Sequence, residues 1–492
     1  MSALELRPIV PAFIVAVTGL FVLLVQAFTP KGKAAPSAPL ALFGLAAALT
    51  TVVLIARERT VLVTGGTVVA DRFALLLQGA LIVITMVVVL LSPSYLRATG
   101  SERGEYYSLV LFSLVGMLGL VSAVELISLF VALEIMSVAL YALTGFHRDR
   151  LASQEAALKY FITGSFSSAF FLYGVALLYG ASGSTMLSRL QPLLTSPPEG
   201  LALLPILGLG LMLVGFAFKV ASVPFHAWAP DVYEGAPTTV TAFMAAGVKA
   251  AAFGAFLRVF GAALPAYPSM SLRWRMAIAS LALVTMVLGN LGALVQRSVK
   301  RMLAFSSVAH AGYLLTAFVA VRYARPGSED AGTVAILFYL IAYAAVNIGG
   351  FGAIAALARG GREPLNLDDF NGLAERRPAL AAAVTVFLIS LTGVPISAGF
   401  VGKFYLFKAA VDAGYIALAI VGVIMSVVSA YYYLSIVVAM YMREPVGEDN
   451  WATMAWGPRV ALALSAFVVL GLGVYPAPLL DLAREAAKAL GQ

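Results

Sequence analysis

Residues 211–228 read LMLVGFAFKVASVPFHAW, and residues 241–257 read TAFMAAGVKAAAFGAFL. Each run is apolar enough to cross a membrane as a helix, yet each carries a lysine, Lys219 in the first and Lys249 in the second. A charged side chain at the middle of a bilayer costs about 2.5–3.5 kcal/mol even on the mildest insertion scale, so such residues usually serve a function. The two runs therefore indicate a bundle of membrane helices that handles protons or ions.

The composition supports this class and excludes several others. The chain has 492 residues, of which 61% are hydrophobic and 11% charged, whereas soluble domains carry about 25% charged residues. It has no cysteine, which excludes disulfides, thioether-linked haem and cysteine-ligated iron–sulfur clusters within it. Its three histidines argue against a multi-histidine metal site. The net charge of +8 is spread over short loops, which fits contact with anionic lipid and not nucleic-acid binding.

We predict an all-α polytopic membrane protein with about fourteen transmembrane helices. The first apolar run, Pro8 to Phe28, is long enough to span and lacks a small-residue cleavage site after it, so we do not expect a cleavable signal. An even count places both termini on one side, and the lysines and arginines of the loops favour the outside only weakly. The predicted spans are 8–29, 38–56, 73–95, 106–122, 124–146, 155–181, 201–228, 238–261, 276–296, 301–322, 331–358, 378–413, 415–442 and 457–480.

Two of these spans contain helix breakers. Pro224 follows Lys219 by five residues, and the stretch LTGVPISAGFVGKFYLF at 391–407 places Pro395 among glycines before Lys403. Broken helices at membrane depth persist only where they are buried or line a watery cavity, and paired breaks in two halves indicate a transport site within inverted repeats. The lysine precedes the proline in one span and follows it in the other, which does not fit a simple repeat. We predict N-terminal helices at 1–105, two inverted five-helix repeats at 106–261 and 276–442 with breaks in helices 7 and 12, and a C-terminal helix at 457–492.

Glu134 lies deep in the span ELISLFVALEIMSVALYAL at 125–143. A lone carboxyl at this depth is expected to be protonated unless a nearby cation restores its charge, and Lys219 is the natural partner. The alternative is a static buried ion pair that locks two helices together.

Lys159 lies near the start of EAALKYFITGSFSSAFF at 155–171. Its long side chain can reach back to the membrane interface instead of serving in the interior. Four polar residues that follow can hold water inside the bundle or allow close helix packing, which is the commoner use of small residues. These residues are Thr163, Ser165, Ser167 and Ser168.

Lys219, Lys249 and Lys403 are the core of the functional hypothesis. Burial destabilises the charged form of an amine, so a buried lysine can accept and release a proton. Few acidic residues lie at the same depth, and Glu134 and Glu125 cannot neutralise all three lysines. A proton relay therefore explains the three lysines better than three unrelated ion pairs, which is the alternative for each of them.

Two histidines and two carboxylates complete the set of candidates. His310, in FSSVAHAGYLL at 305–315, lies mid-span and is suited to a relay, because imidazole titrates near neutral pH. His226 follows the first break, where it can also cap or orient the chain. Asp231 and Glu234 follow it; we expect them to cap the next helix, with proton collection as the minor alternative. His147 lies in a loop and receives no role.

Four motifs carry a resemblance to a known family. They are EAALKYFITGSFSSAFFLYG at 155–174, KVASVPFHAWAPDVYEGAPTTVTAFMA at 219–245, KRMLAFSSVAHAGYLL at 300–315 and GVPISAGFVGKFYLF at 393–407. Together they resemble the subunit N family of the bacterial proton-pumping NADH–quinone oxidoreductase, respiratory complex I, over nearly the whole chain. The lysine of GKF also fits subunit N, since its sister subunit M has a glutamate there. Subunits of cyanobacterial, plastid and archaeal relatives are similar.

The resemblance implies an antiporter-like fold and proton translocation along a hydrated central axis. It implies that Glu134 pairs with Lys219, that Lys159 tunes this pair, and that His310 lies between a central Lys249 and the exit at Lys403. It implies no metal or cofactor in this chain, with NADH, FMN, iron–sulfur clusters and quinone in partner subunits. The expected partners are other membrane-arm subunits, above all M and K-type neighbours, in a bacterial inner (plasma) membrane with both termini periplasmic.

Two other functions stay open at this point. An Mrp-type or stand-alone cation/proton antiporter would use the same lysines to exchange protons against sodium, although the lack of mid-span aspartates argues against a sodium site. A purely structural membrane scaffold would tolerate the loss of Lys219 or Lys249.

Overall fold

The computed structural model describes residues 6–30, 35–58, 62–195, 200–263, 268–321, 330–445 and 454–490. The predicted connections at 31–34, 196–199 and 322–329 therefore lie outside the described residues. Long helices dominate the described part, because a helix satisfies its own backbone hydrogen bonds where no water is present. The helices are α1 (Val10–Phe28), α2 (Ser37–Arg57), α3 (Arg72–Ala98), α4 (Gly104–Ser122), α5 (Leu126–Thr144), α6 (Leu151–Ser182), α7 (Leu190–Thr195), α8 (Leu203–Lys219), α9 (Trp228–Gly235), α10 (Thr238–Phe243), α11 (Lys249–Ala263), α12 (Pro268–Leu294), α13 (Val299–Phe318), α14 (Ala331–Ala356), α15 (Leu373–Arg376), α16 (Pro378–Thr392), α17 (Ala398–Asp412), α18 (Ile416–Met442), α19 (Trp456–Val474) and α20 (Ala477–Leu490).

The helices confirm a polytopic membrane protein, while the count of fourteen spans stays a prediction. In the described part, eleven helices are long and apolar enough to cross a membrane. Three further predicted spans correspond to the two broken helices and to α13, whose first turn contains Lys300 and Arg301.

Both predicted breaks are present. The first helix half, α8, ends at Lys219, and the chain turns at Ala221 with φ of 59° before α9 begins. The second break follows α16, where Gly393 and Ile396 take φ of 90° and 74°, and the Ser397 side chain then caps α17. Left-handed backbone at a residue with a Cβ costs about 1–2 kcal/mol, so the surrounding helices must hold both turns in place.

The loops gather at two ends of the bundle. At one end, which we call the Glu363 end, Gly361 N–H donates to Ala98 O at 2.9 Å and Val299 N–H donates to Leu365 O at 2.6 Å. At the other, Val68 forms a β-bridge with Ala123, and Glu125 with Met186. Each set of loops is thus tied together, and the helices run between the two sets.

The structure corrects two details of the all-helical prediction. Strands β1 (Leu62–Thr64) and β2 (Val68–Ala70) form an antiparallel hairpin before α3. The predicted last span, 457–480, is wrong as one helix, because α19 ends at Val474 and Pro476 precedes the separate helix α20. Leu479, Leu480 and Ala483 bury one face of α20.

Candidate functional site

Four titratable side chains that the sequence singles out are almost completely buried. Lys219 and Lys403 are each 4% exposed, Lys249 is 2% exposed and His310 is 1% exposed. Burying a charge is costly unless polar partners compensate it, so the partners of each side chain decide what it can do.

Lys219 is the last residue of α8, where the negative end of the helix dipole favours a cation. Its Nζ donates to Ser137 Oγ of α5 at 2.8 Å. The ammonium also lies 5.5 Å from the ring centre of Tyr141 and 5.3 Å from that of Tyr160. A hydroxyl and two ring faces therefore surround this amine.

Glu134 lies one turn before Ser137 on α5, but it does not contact Lys219 directly. Its carboxylate accepts a hydrogen bond from Ser168 Oγ of α6, and no Glu134–Lys219 ion pair within 4.0 Å occurs among the described residues. The direct Glu134–Lys219 pair that the resemblance implied is thus not formed here, because the Lys219 amine donates its hydrogen bond to Ser137 instead. Residues three apart share one face of a helix, so carboxylate and amine remain electrostatic neighbours.

Lys249 follows a π-helical turn, Met244–Val248, within the helix from Thr238 to Gly261. Its Nζ donates to the backbone oxygen of Ser307 and, at 2.5 Å, to Ser307 Oγ. The amine also lies 5.3 Å from the ring centre of Tyr343. Local π-helical turns often mark functional positions because they re-aim a side chain, and here the turn precedes the amine.

His310 lies one turn after Ser307 on α13. Its Nδ1 bonds to the hydroxyl of Tyr339 on α14, and its Nε2 lies 3.1 Å from the hydroxyl of Tyr433 on α18. Tyr433 also bonds to Ser306. Both ring nitrogens thus meet hydroxyl groups that can donate or accept, which is the arrangement a proton shuttle needs.

Lys403 follows the proline of its break in the sequence, whereas Lys219 precedes the proline of the first break. It belongs to α17, after the second break, but its Nζ reaches back to Leu391 O at 2.8 Å and Thr392 O at 3.1 Å. These are the last carbonyl oxygens of α16, so the Lys403 amine lies at the negative C-terminal end of the first helix half. The amine also lies 4.9 Å from the ring centre of Tyr313.

Aromatic side chains lead from the first break toward Lys249. Tyr160, next to Lys219, stacks on Trp228 with ring centres 4.6 Å apart. Trp228 meets Tyr233 edge to face at 6.2 Å, and the Tyr233 hydroxyl lies beside Ser307. This row joins the two halves of the site and does not show in the sequence, since α6, α9 and α13 contribute to it.

Lys159 and His226 lie outside this row of contacts. The Lys159 side chain is 43% exposed and its Nζ lies 2.6 Å from Glu155 and 2.7 Å from Asp231. This placement fits the alternative of a lysine that reaches the membrane interface. His226 is half-buried in the first break, and its Nδ1 has no partner among the described residues.

Asp231 and Glu234 do not cap the next helix, so that expectation was wrong. Both lie inside α9. Asp231 binds Lys159 at 2.7 Å and Arg301 at 2.6 Å, and Glu234 binds Arg301 at 3.2 Å. Their role is to pair the cations at the starts of α6 and α13.

Glu363, which no sequence pattern singled out as a site residue, is the centre of a buried polar cluster at the Glu363 end. Its carboxylate is 3% exposed and binds Lys300 at 3.3 Å, Arg150 at 3.2 Å and the hydroxyls of Tyr95 and Thr238. Burial by itself raises the pKa of Glu363. The charge of Lys300 and the hydrogen bonds together have the larger effect and lower this pKa from 4.5 to about 2. Only the run of charge in RGGREP at 359–364 hinted at this residue.

His147, which received no role, packs beside this cluster. It is buried, its Nε2 lies 3.1 Å from Ser101 Oγ, and its ring stacks on Tyr95. Burial and the nearby Arg150 lower the pKa of His147 to about 4. It is therefore neutral at physiological pH and structural in character.

Within the described part of the chain, no group of three or more His, Cys, Asp or Glu residues converges as metal ligands would.

Two broken helices that bring buried titratable side chains together define the class of antiporter-like membrane transport proteins. Comparisons with known proteins place the chain within this class. Residues 123–429 match a family model described as NADH:quinone oxidoreductase/Mrp antiporter, TM. The NADH-quinone oxidoreductase subunit N of Trichlorobacter lovleyi is 42% identical over 487 residues, which cover 99% of this chain and 98% of that relative. The chain belongs to the family of NADH-quinone oxidoreductase subunit N.

Solved structures share the fold. A chain of respiratory complex I from Thermus thermophilus with bound aureothin is 36% identical with a TM-score of 0.80, over 96% of this chain and 98% of that one. A chain of the Mrp complex from Dietzia reaches a TM-score of 0.83 at 24% identity, over 100% of this chain and 98% of that one. At that identity the second likeness shows the fold alone.

Proposed function

We propose that this chain translocates protons as a membrane-arm subunit of NADH–quinone oxidoreductase, driven by redox chemistry that other subunits carry out. The observation that carries the proposal is the kind of partner that Lys219, Lys249 and Lys403 have. Each donates to neutral hydroxyl or carbonyl oxygens. A carboxylate partner would fix the ammonium in its charged form, whereas a neutral acceptor leaves the amine able to lose its proton.

The second half of the path is nearly continuous. Lys249 bonds to Ser307, and His310, one helical turn further, bonds to Tyr339 and Tyr433. Lys403 is the far end of the proposed path, beside the second break, which separates α16 from α17. A buried hydroxyl without a protein partner, such as that of Tyr160 among the described residues, is a position at which water binds in protein interiors. We assign the relay to Glu134, Lys219, Lys249, His310 and Lys403, with Lys159 as the member the contacts support least.

Glu134 is the member suited to couple this chain to a neighbour. It is half-buried, and Val131, Ile135 and Val138 around it are exposed apolar side chains of α5. A partner helix that covers this face would change the field at Glu134 and so the stability of the ammonium of Lys219. A difference of about 1.4 kcal/mol corresponds to a tenfold change in the ratio of protonated to neutral amine, so a displaced charge near Lys219 changes this ratio.

The finer assignments are part of the same proposal. We divide the chain into N-terminal helices at 1–105, repeats at 106–261 and 276–442, and a C-terminal region at 457–492. We place it in the inner membrane of a bacterium with both termini periplasmic and with M and K-type subunits as neighbours. The even number of predicted spans and the cationic residues at the Glu363 end support this orientation.

The decisive test replaces Lys249 in the assembled complex. Lys249→Ala removes the amine, and Lys249→Arg keeps a positive charge that does not deprotonate. In proteoliposomes, we expect the rate of proton pumping, divided by the rate of NADH oxidation, to fall at least about tenfold in both variants. The control variant Lys408→Ala removes a half-exposed lysine of α17 and should pump normally.

Normal pumping by Lys249→Arg would contradict the relay and favour a structural ammonium. A stand-alone cation/proton antiporter would instead show sodium-dependent proton exchange without NADH, and the chain would purify without flavin and iron–sulfur subunits.

A further inference from the structure

A polar cleft lies at the periphery of the bundle, away from the row of buried lysines. Its volume is about 660 Å³, and it opens between the starts of α2, α4 and α19 and the end of α3. The lining includes Gln26, Ser37, Arg97, Arg103, Tyr107 and Trp456. Nothing in the proton path uses these residues.

Three helices direct their N-termini at this cleft. They begin at Ser37, Gly104 and Trp456; their N-cap residues provide no side-chain cap, but Gln26 Oε1 accepts a hydrogen bond from Gly104 N–H at 3.2 Å. The first turns of α2 and α19 keep N–H groups without a partner inside the helix, and each of the three N-termini carries about half a positive elementary charge, which favours an anion. The C-terminal ends of α3 at Ala98 and of α1, whose Gln26 lines the cleft, offset part of this field.

Charged side chains add to the positive potential. Arg97 and Arg103 line the cleft and are exposed, and Arg103 has no ion-pair partner among the described residues. Glu102 also lines it and lies 3.9 Å from Arg97, so it compensates one arginine weakly. Glu105 in the first turn of α4 is exposed. Three N-termini and two arginines therefore stand against two carboxylates and two helix C-termini, which leaves a small positive excess.

Two buried hydroxyls provide the independent sign of a ligand. Ser37 and Tyr107 line the cleft, are each 2% exposed, and their hydroxyls have no hydrogen-bond partner among the described residues. An unsatisfied buried hydroxyl destabilises a protein, so most of them are paired with protein, water or ligand. A phosphate oxygen accepts from such hydroxyls and from arginine alike.

We propose that this cleft binds the phosphodiester group of an anionic membrane phospholipid. Its position favours a lipid over a soluble phosphate. Helices α1 and α2, beside the cleft, are among the least buried of the bundle, with 28% and 33% of their apolar stretches inside the protein. Trp456 at the mouth is 70% exposed, and tryptophan is enriched at the headgroup level of membranes.

The test uses the assembled complex, delipidated in detergent and titrated with short-chain dioctanoyl phosphatidylglycerol while native mass spectrometry counts the bound lipid. We expect one saturable site, and about tenfold weaker binding for each arginine replaced in Arg97→Gln and Arg103→Gln. The matched control is Arg148→Gln with Arg359→Gln, which removes two exposed charges from loops of the same end. Tyr107→Phe should also weaken binding, and it leaves no buried hydroxyl unsatisfied, so misfolding cannot explain its effect.

A second titration separates the two sources of the phosphate group. Inorganic phosphate at millimolar concentration should not displace the lipid. Displacement in the wild type would reassign the cleft to a soluble phosphate anion and overturn the lipid assignment. Equal lipid binding by the double arginine variant and the control would overturn the site altogether.

Discussion

Two kinds of buried cation coexist in this molecule, and their partners distinguish them. Lys300 binds the carboxylate of Glu363, and Arg258 binds that of Asp71 through two hydrogen bonds of 2.9 and 3.0 Å. Such pairs hold their charge, and removing one partner leaves an uncompensated ion in the interior. Lys219, Lys249 and Lys403 instead meet neutral oxygens, so a change of protonation state leaves no buried carboxylate unpaired at these sites.

The hydroxyl groups on His310 provide a prediction at the residue scale. Tyr433→Phe removes the hydroxyl next to Nε2 and should slow proton pumping about tenfold, while His310→Ala should slow it more. If the hydroxyl acts through the imidazole, the double variant is no slower than His310→Ala alone. The measurement is the rate of acidification per NADH oxidised in proteoliposomes.

Tyr432→Phe is the matched control for that experiment. Tyr432 is the neighbouring buried tyrosine of α18, and its hydroxyl binds Asn290 at 3.0 Å instead of the histidine. Additive losses from Tyr433→Phe and His310→Ala would show that the two side chains act independently.

At the scale of single elements, the second break depends on Gly393. This residue has φ of 90°, and a Cβ there would lie 3.1 Å from Lys403 Cδ. Gly414 has a similar φ of 87°, but a Cβ there would meet nothing within 4 Å. The two glycines therefore separate the strain of the backbone from contact with the lysine.

We predict that Gly393→Ala and Gly414→Ala lower stability by a similar amount, about 1–2 kcal/mol, because alanine tolerates positive φ poorly. Only Gly393→Ala should impair pumping, since it displaces the Lys403 side chain. Thermal denaturation and pumping assays on both variants check this. Equal pumping by the two would mean that the position of Lys403 is not critical.

Glu363 ties several elements together, and its titration gives a prediction with a defined pH range. The pKa of Glu363 in the folded protein is about 2, below its ordinary value of 4.5. The carboxylate therefore stabilises the fold fully above about pH 4.5 and loses this effect as the pH falls toward 2. Glu363→Gln should be less stable by about 3 kcal/mol at pH 7, and the difference should close across that range.

The control is Asp368→Asn, which removes a carboxylate of the same loop whose side chain is 77% exposed and pairs with Arg443. Its stability should stay within about 1 kcal/mol of the wild type at every pH. Midpoints of thermal denaturation between pH 7 and pH 2 provide the comparison. A difference for Glu363→Gln that does not change with pH would show that the charge of the carboxylate is unimportant.

At the scale of the whole molecule, the Asp71–Arg258 pair joins the N-terminal helices to the central bundle. Asp71 precedes α3, and Arg258 lies on α11 beyond Lys249. Asp71→Ala should destabilise the assembled complex by about 3–5 kcal/mol because it leaves Arg258 buried without a counter-charge. The complex that does assemble should pump normally per NADH oxidised, since this pair is structural.

Asp481→Ala provides the comparison. It removes a carboxylate of α20 that is 67% exposed and pairs with Arg484, and such surface pairs contribute about 0–1 kcal/mol. A loss of pumping in the intact Asp71→Ala complex would place the pair in the proton path and contradict the distinction between the two kinds of cation.

The sequence by itself determined the membrane fold, both helix breaks and the buried lysines. These features follow from local facts: an apolar run of about 20 residues must become a helix in lipid, a proline removes a helix hydrogen bond, and a lysine near the middle of such a run is expected in the protein interior. The resemblance of four motifs to subunit N came from the same residues. The separate helix α20 was missed because a run of apolar residues continues past Pro476.

Only the tertiary structure decided which groups compensate the buried charges. Lys219 binds a serine 82 residues away, Lys249 binds one 58 residues away, and Lys300 binds a carboxylate 63 residues away. No local periodicity encodes these distances along the chain, because they arise when separate helices pack side by side. The same packing gave the Lys219 amine a partner in Ser137 instead of Glu134, and it brought the Lys403 amine back across the second break to the end of α16.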